Sequence, residues 1–263
     1  MRRPDRPGRT PPLMEINMKI AGSVALVTGA NGGIGQAYAR ALVQQGAAKI
    51  YLAARDITSL GALLAESDVF VPIELDVTNP AQIARAAELV SDVTLLINNA
   101  GVAMFAGALS TNTLDKARLE MEVNYFGILA LAQALRHTPA FQSGGAIVNV
   151  LSFLALATLP AAGTYSASKA AGLSLTRTLR AELAPRGVRV LAVLPVQVDT
   201  AMGAALPEPR LTPETVALAT LEALEGTTDD VFPGELTQQV AHAFRNDPAA
   251  VQAQLSGMVH AIA

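Results

Sequence analysis

The segment Val24 to Gly35 reads VALVTGANGGIG, joining a short β-branched run to a glycine-rich turn and then to a helical pattern. Val24 to Thr28 is a short β-branched run of strand length, read as a buried strand. Gly29, Gly32, Gly33 and Gly35 permit a tight turn whose backbone amides a ligand can approach closely. The helical pattern runs from Ile34 to about Gln45 and closes at Gly46. Free amides at the positive end of a helix dipole suit a pyrophosphate. No Gly-Lys-Ser/Thr follows, which argues against a P-loop for nucleotide hydrolysis. Taken alone, the turn is also compatible with a plain strand-to-helix junction.

Outward from this turn, strand and helix patterns alternate. Further strands are expected at Lys49–Ala53, Phe70–Leu75, Thr94–Asn98, Ala146–Leu151 and Val188–Leu194, with a short edge strand at Val231–Phe232. Between them, helical sequence extends to about Glu66, starts again at Asn79-Pro80, and covers Asp115 to about His137, Thr164–Leu183 and Pro213–Leu224. One or two helices follow Gly234. This alternation requires a parallel sheet with helices on both faces. Right-handed crossovers then give a doubly wound α/β fold of about seven strands. Residues 19–263 read as a single domain, since no repeat or linker divides them. Residues 1–18 hold four arginines and four prolines and read as a disordered tail. That tail lacks the apolar segment of a secretory signal, and Met14 or Met18 offers an alternative start.

Composition narrows the function classes. Of 263 residues, 51% are hydrophobic and 16% charged, with a net charge of −3, so neither disorder nor a nucleic-acid face is indicated. The absence of cysteine excludes disulfide and thiolate chemistry and points to a reducing cytoplasm. His137, His242 and His260 are scattered, without metal-ligand spacing, and no metal is expected. No apolar run is suited to crossing a membrane.

Several motifs occur in a telling order. Thr28 to Gly35 fits T-G-x-x-x-G-x-G, and Asp76-Val77 ends the third strand. Asn98-Asn99-Ala100-Gly101 ends the fourth, and Asn124 lies in Val123-Asn124-Tyr125. Ser152 follows the fifth strand by one residue, and Tyr165-Ser166-Ala167-Ser168-Lys169 fits Y-x-x-x-K. Over about residues 20 to 200 the chain resembles the short-chain dehydrogenase/reductase family. The resemblance implies a Rossmann-like fold, hydride exchange with a nicotinamide dinucleotide, and assembly as a homodimer or homotetramer. It implies cofactor contacts from Gly29, Asn31, Gly33, Ile34, Gly35, Asp76, Val77, Asn98, Ala100, Gly101, Pro195, Val198 and Thr200, besides Tyr165 and Lys169. It also implies that Ser152 polarises the substrate oxygen, that Lys169 binds the nicotinamide ribose, and that Asn124 fixes a water leading to solvent.

The residues themselves carry part of this. Tyr165 and Lys169 are four apart on an expected helix and share a face. Ketone reduction needs a proton donor at oxygen, and alcohol oxidation needs a base. An ammonium ~4 Å from the phenol, at an effective dielectric of ~20, favours tyrosinate by about 4 kcal/mol, or roughly 3 pKa units. A tyrosine depressed in this way works near neutrality. Taken singly, Tyr165 is also compatible with a half-buried aromatic, Lys169 with a solvated charge, Ser152 with a cap and Asn124 with a helix-backbone bond.

At the end of the second strand, Ala54 stands where an acid would select a ribose hydroxyl, and Arg55 follows. A guanidinium suits a 2′-phosphate, so NADP(H) is favoured over NAD(H). The alternative is that Arg55 pairs with Asp56 or faces water. Val196 occupies a position where the family has glycine, and a positive φ there would strain it. The expected pocket segments, Val102–Ala106 and Phe153–Pro160, have no charged residue and Thr158 as their only hydroxyl. With Phe153, Leu154, Val196, Gln197 and Met202 as candidate lining, they point to a neutral, largely apolar ketone or secondary alcohol. The expected activity is therefore a carbonyl reductase or alcohol dehydrogenase, and the alternative is a dinucleotide-sensing protein with little catalysis.

Overall fold

A computed structural model describes residues 18–258 apart from 111 and 143. Seven strands form one parallel sheet in the order β3-β2-β1-β4-β5-β6-β7. They are β1 (Val24–Thr28), β2 (Lys49–Ala54), β3 (Phe70–Glu74), β4 (Leu95–Asn98), β5 (Ala146–Val150), β6 (Arg189–Val193) and β7 (Asp230–Val231). The helices are α1 (Gly33–Gln44), α2 (Gly61–Leu64), α3 (Pro80–Leu89), α4 (Thr113–Met121), α5 (Gly127–Leu135), α6 (Gly163–Leu183), α7 (Pro213–Glu225), α8 (Gly234–Asn246) and α9 (Pro248–Ser256).

Strand alternation builds the layers. On β1, Ala25 and Val27 face a core shared with Leu42 of α1 and with Val216 and Leu221 of α7. Leu26 faces the opposite core, with Ile83 of α3, Leu131 of α5 and Leu173 of α6. A smaller cluster joins Phe153 and Ala157 to Ala241 of α8. The chain runs outward from β1 to β3, then crosses back to lay β4 on the other side of β1. That reversal opens a crevice beyond the carboxyl ends of β1 and β4, where ligands bind in open α/β sheets.

Most expected elements are present, and three differ. The helix expected over Asp115–His137 is two helices joined by a π-helical turn, Glu122–Phe126. The wide turn coincides with close packing, since a Cβ on Gly127 would lie 2.9 Å from Val77 Cγ2. Between β2 and β3 the helical sequence is only a 3-10 turn, Ile57–Leu60, followed by the short α2. The last strand is Asp230–Val231, one residue earlier than expected. Met18 is buried and its amide donates to the Leu224 carbonyl at 3.2 Å, so the fold includes this last residue of the expected tail. The rest of that tail and His260 lie outside the described residues. Among the described residues no helix is long and apolar enough to cross a membrane.

Candidate active site

The crevice is a cleft of about 380 Å³, lined by the β1 turn, the ends of β2 to β5, α6 and the segment Thr200–Met202. Its floor is built by glycine and by tightly bonded polar groups. The Thr28 hydroxyl accepts the amides of Asn99 and Ala100, both at 3.0 Å. The Asn99 side chain donates to the carbonyls of Thr28 at 2.9 Å and Gly29 at 3.1 Å. These bonds tie the glycine turn to the end of β4. Gly29 has φ +62°, and a Cβ there would stand 3.0 Å from Ala100 Cα. A Cβ on Gly35 would collide with the Gly29 carbonyl, so α1 can pack this close only through glycine. The first turn of α1 has neither a side-chain cap nor an acidic residue, which leaves its amides available. The fit to a pyrophosphate is good.

Arg55 stands on the rim and is exposed. Its neighbour Asp56 instead accepts the amide and hydroxyl of Thr58, at 2.9 Å and 2.7 Å. Among the described residues Arg55 makes no ion pair. Asp76 accepts the amide and hydroxyl of Thr78, and Val77 closes the wall beside it.

The chemistry-bearing side chains come from α6 and the end of β5. Tyr165 and Lys169 both line the cleft, and Lys169 Nζ lies 5.6 Å from the centre of the Tyr165 ring. Lys169 is buried and donates to the Val150 carbonyl at 3.0 Å. Burial pulls its ammonium down to about 8. Burial of the phenol pushes Tyr165 up to about 12; the Ser152 hydroxyl opposes this rise and the Glu120 charge adds to it. This corrects the expectation of a depressed tyrosine. The ammonium is turned to the Val150 carbonyl, and burial is the main cause acting on the phenol.

Ser152 is buried and its hydroxyl accepts the Leu154 amide at 3.1 Å. Asn124 is fully buried in the π turn. Its amide nitrogen donates to the Val102 carbonyl at 2.8 Å and to the Ser168 hydroxyl at 2.9 Å, and its oxygen accepts the Val102 amide at 3.0 Å. The amide group thus locks the segment after β4 onto α6.

Of the other expected site residues, Asn31, Gly33, Ile34, Ala100, Gly101, Thr200 and Met202 line the cleft. Asn98 does not. It points into the core and donates to Asn149 at 2.8 Å, which in turn donates to Thr176. Pro195 and Val198 are buried, and Val198 packs in the α1–α7 core. Gln197 donates to the Pro209 carbonyl. Phe153 packs edge-on against Phe244, 5.7 Å between ring centres, while its neighbour Leu154 is half-buried. Val196 is half-buried and has no positive φ, so the strain considered for it is absent. Glu120 was not anticipated. It is fully buried on α4, and its Oε1 accepts the Met104 amide at 2.7 Å. No local spacing signalled it, because its burial depends on the Met104 amide sixteen residues earlier.

The profile of the short chain dehydrogenase family matches residues 23–211. The chain belongs to the short-chain dehydrogenase family. An uncharacterised oxidoreductase from Staphylococcus aureus is 36% identical over 211 residues, 76% of this chain and 90% of the relative. A short-chain dehydrogenase from Burkholderia cenocepacia, solved in complex with NADP, is 43% identical with a TM-score of 0.85, covering 90% of this chain and 99% of that one. An NADPH-bound carbonyl reductase from chicken fatty liver is 29% identical with a TM-score of 0.72, covering 80% and 93%. This short-chain dehydrogenase is accordingly an oxidoreductase with a Rossmann-like fold.

Proposed function

We propose that this short-chain dehydrogenase transfers hydride between NADP(H) and a neutral, largely apolar ketone or secondary alcohol, with Tyr165 as its general acid and base. One observation carries the reading: Tyr165 and Lys169 share a single cleft with the glycine turn and with the exposed Arg55. The NADP and NADPH complexes of the two structural relatives support the choice of dinucleotide.

When bound, the nicotinamide supplies hydride. The amides of Gly29 to Gly35 would hold the pyrophosphate, Arg55 would meet the 2′-phosphate, and Thr200 would bound the nicotinamide side. The Ser152 hydroxyl holds the substrate oxygen at the end of β5. Tyr165, with its phenol raised to about 12, stays protonated at neutrality and donates to the oxygen as negative charge develops there. Lys169, near 8, carries a charge close to the reacting oxygen and can exchange a proton near neutrality. Val196, the one feature that favoured a sensor, lies in unstrained backbone, which supports the catalytic reading.

The test follows NADPH and NADH absorbance against a panel of neutral aryl and alkyl ketones. NADPH oxidation should depend on ketone, and Tyr165→Phe should lower turnover by roughly 10²–10⁴ while leaving NADPH binding intact. Arg55→Ala should raise KM for NADPH by about tenfold, or ~1.4 kcal/mol, and leave NADH unaffected. Good turnover of a sugar phosphate or acyl-CoA, with none of neutral ketones, would overturn the substrate class.

A further inference from the structure

The loop from Asp199 to Arg210 carries Thr200, Ala201 and Met202, which line the same cleft as Tyr165 and Lys169. It lies hard against the glycine turn, since a Cβ on Gly33 would stand 3.0 Å from Thr200 Cγ2. A short parallel bridge between Val198 and Leu211 joins its ends. There the Asp199 amide donates to the Leu211 carbonyl at 2.8 Å, and the Leu211 amide donates to the Gln197 carbonyl at 3.0 Å. A compact loop with closed ends keeps one shape only if its own side chains pack it. Among the described residues of this loop only Gly203 is buried; Leu206 is half-buried and Met202 is exposed. Apolar packing therefore does not hold the loop.

Arg210 takes the place of that packing. Its side chain is only 19% exposed. Nη1 donates to the carbonyls of Ala204 at 3.1 Å and Leu206 at 3.0 Å. Nη2 pairs with Glu208 at 2.5 Å, and Asp199 Oδ1 lies 3.4 Å from Nε in an ion pair without hydrogen-bond geometry. The two carboxylates are 67% and 66% exposed, so these pairs contribute little. The carbonyl bonds come from a sheltered, charged fork and are the stronger hold. Their effect reaches the cleft through the backbone. Next to Ala204, the Gly203 amide donates to the Thr200 carbonyl at 3.0 Å and lies 3.2 Å from the Thr200 hydroxyl oxygen. A Cβ on Gly203 would collide with the Val198 carbonyl, so the bend is tight. Thr200 is thus set at one end of a bend whose other end Arg210 fixes.

We propose that Arg210 is a positioning residue for the nicotinamide half of the dinucleotide: it holds the Thr200–Met202 segment in its binding shape before the cofactor arrives. The inference rests on the proposed hydride transfer, in which Thr200 bounds the nicotinamide side. Arg210 lies outside the cleft wall and acts through the loop backbone. A loop already in shape carries no ordering cost when the ligand binds. Without the arginine the competent shape becomes a fraction of the population, and the apparent affinity falls by that fraction. The bound complex has the same shape in either case, so KM changes more than kcat.

The experiment compares the full-length wild type with Arg210→Met and Arg210→Lys, each checked by thermal melting. Three readouts are taken: KM and kcat in ketone reduction with NADPH and with NADH, Kd for both dinucleotides from nicotinamide fluorescence, and the rate of thermolysin cleavage within the loop. Arg210→Met should raise KM and Kd for both dinucleotides by about tenfold, as when the competent shape falls to about one tenth of the population, with kcat within about twofold. Tm should stay within about four degrees. An equal effect on the two dinucleotides separates this residue from Arg55, whose removal should weaken NADPH alone. Loop cleavage should quicken, and saturating NADPH should slow it again. Arg210→Lys keeps a charged donor for the loop carbonyls and should recover part of the affinity. Unchanged Kd in Arg210→Met would overturn the proposal, as would faster cleavage without weaker binding, or a fall in Tm and kcat that leaves KM unmoved. If the wild type reduces no ketone, the proposed function fails, and the fluorescence titration still decides the role of Arg210.

Discussion

Two buried cations in this molecule are treated in opposite ways. Arg189, on β6, reaches the C-terminal end of α7 and donates to the carbonyls of Ala223, Leu224, Gly226 and Thr228, with Asp229 Oδ1 at 3.2 Å. It satisfies the orphan carbonyls of a helix terminus and meets the negative end of the dipole. Lys169, equally buried, has one carbonyl, and its burial is opposed strongly enough to bring it to about 8. The tyrosines divide likewise. Tyr38 is enclosed between α1 and α7 with its hydroxyl 2.7 Å from Thr220 Oγ1, whereas Tyr165 faces the cleft. Arg189 and Tyr38 serve the fold, and their partners lie within the chain. In the cleft the first turn of α1 has no side-chain cap, and its amides are left for a ligand.

The strongest way to break this contrast is to remove each cation. Arg189→Met should leave the Gly226 and Thr228 carbonyls without donors and Asp229 without its buried partner, and cost about 3–5 kcal/mol, a fall of roughly ten degrees in Tm. A loss below about 1 kcal/mol would mean that Arg189 is not a structural cap. Lys169→Met should do the reverse. A lysine depressed from 10.5 to about 8 carries about 3 kcal/mol of unfavourable burial while charged. The sign follows from proton uptake: between pH 8 and 10.5 the unfolded chain binds more protons, so wild-type stability rises with pH across that window. Lys169→Met should therefore gain about 3 kcal/mol at pH 7, and the gain should vanish toward pH 10.5, while turnover collapses. Thermal melts at both pH values check this, and an equal or lower Tm at pH 7 would contradict it.

The same contrast explains what could be read in the sequence. The sheet was legible because β-branched runs, glycine turns and helical periodicity are local, and each recurs in strict alternation. Tyr165 and Lys169 were legible because a spacing of four on one helix fixes a shared face. Depression of the phenol was not, since it assumed an ammonium aimed at the hydroxyl, and the partner of Lys169 is a carbonyl on β5. The side chain of Asn98 was not legible for a similar reason. The resemblance implied a cofactor contact from it, while strand alternation turns its side chain toward Asn149. The π turn at Asn124 and the burial of Glu120 depend on contacts with Val102 and Met104, which no local pattern encodes.

The smallest expected effect sharpens the comparison most. Thr220 Oγ1 is 2.8 Å from the Val216 carbonyl and must give its one proton there, so Tyr38 is the donor in the 2.7 Å pair. Tyr38→Phe removes that donor but leaves Thr220 bonded to its own helix. The change should cost only about 1 kcal/mol, the net worth of one neutral hydrogen bond. Turnover and cofactor KM should be unchanged, because α1 is still fixed by Leu42 and by Gly35 against the β1 turn. At the cleft the same one-atom deletion, Tyr165→Phe, should have the opposite profile, with little change in Tm and a turnover loss of two orders of magnitude or more. Chemical denaturation and steady-state rates on both variants give the four numbers. If Tyr38→Phe lost turnover in proportion to Tyr165→Phe, the division between fold-serving and ligand-serving polar groups would be wrong.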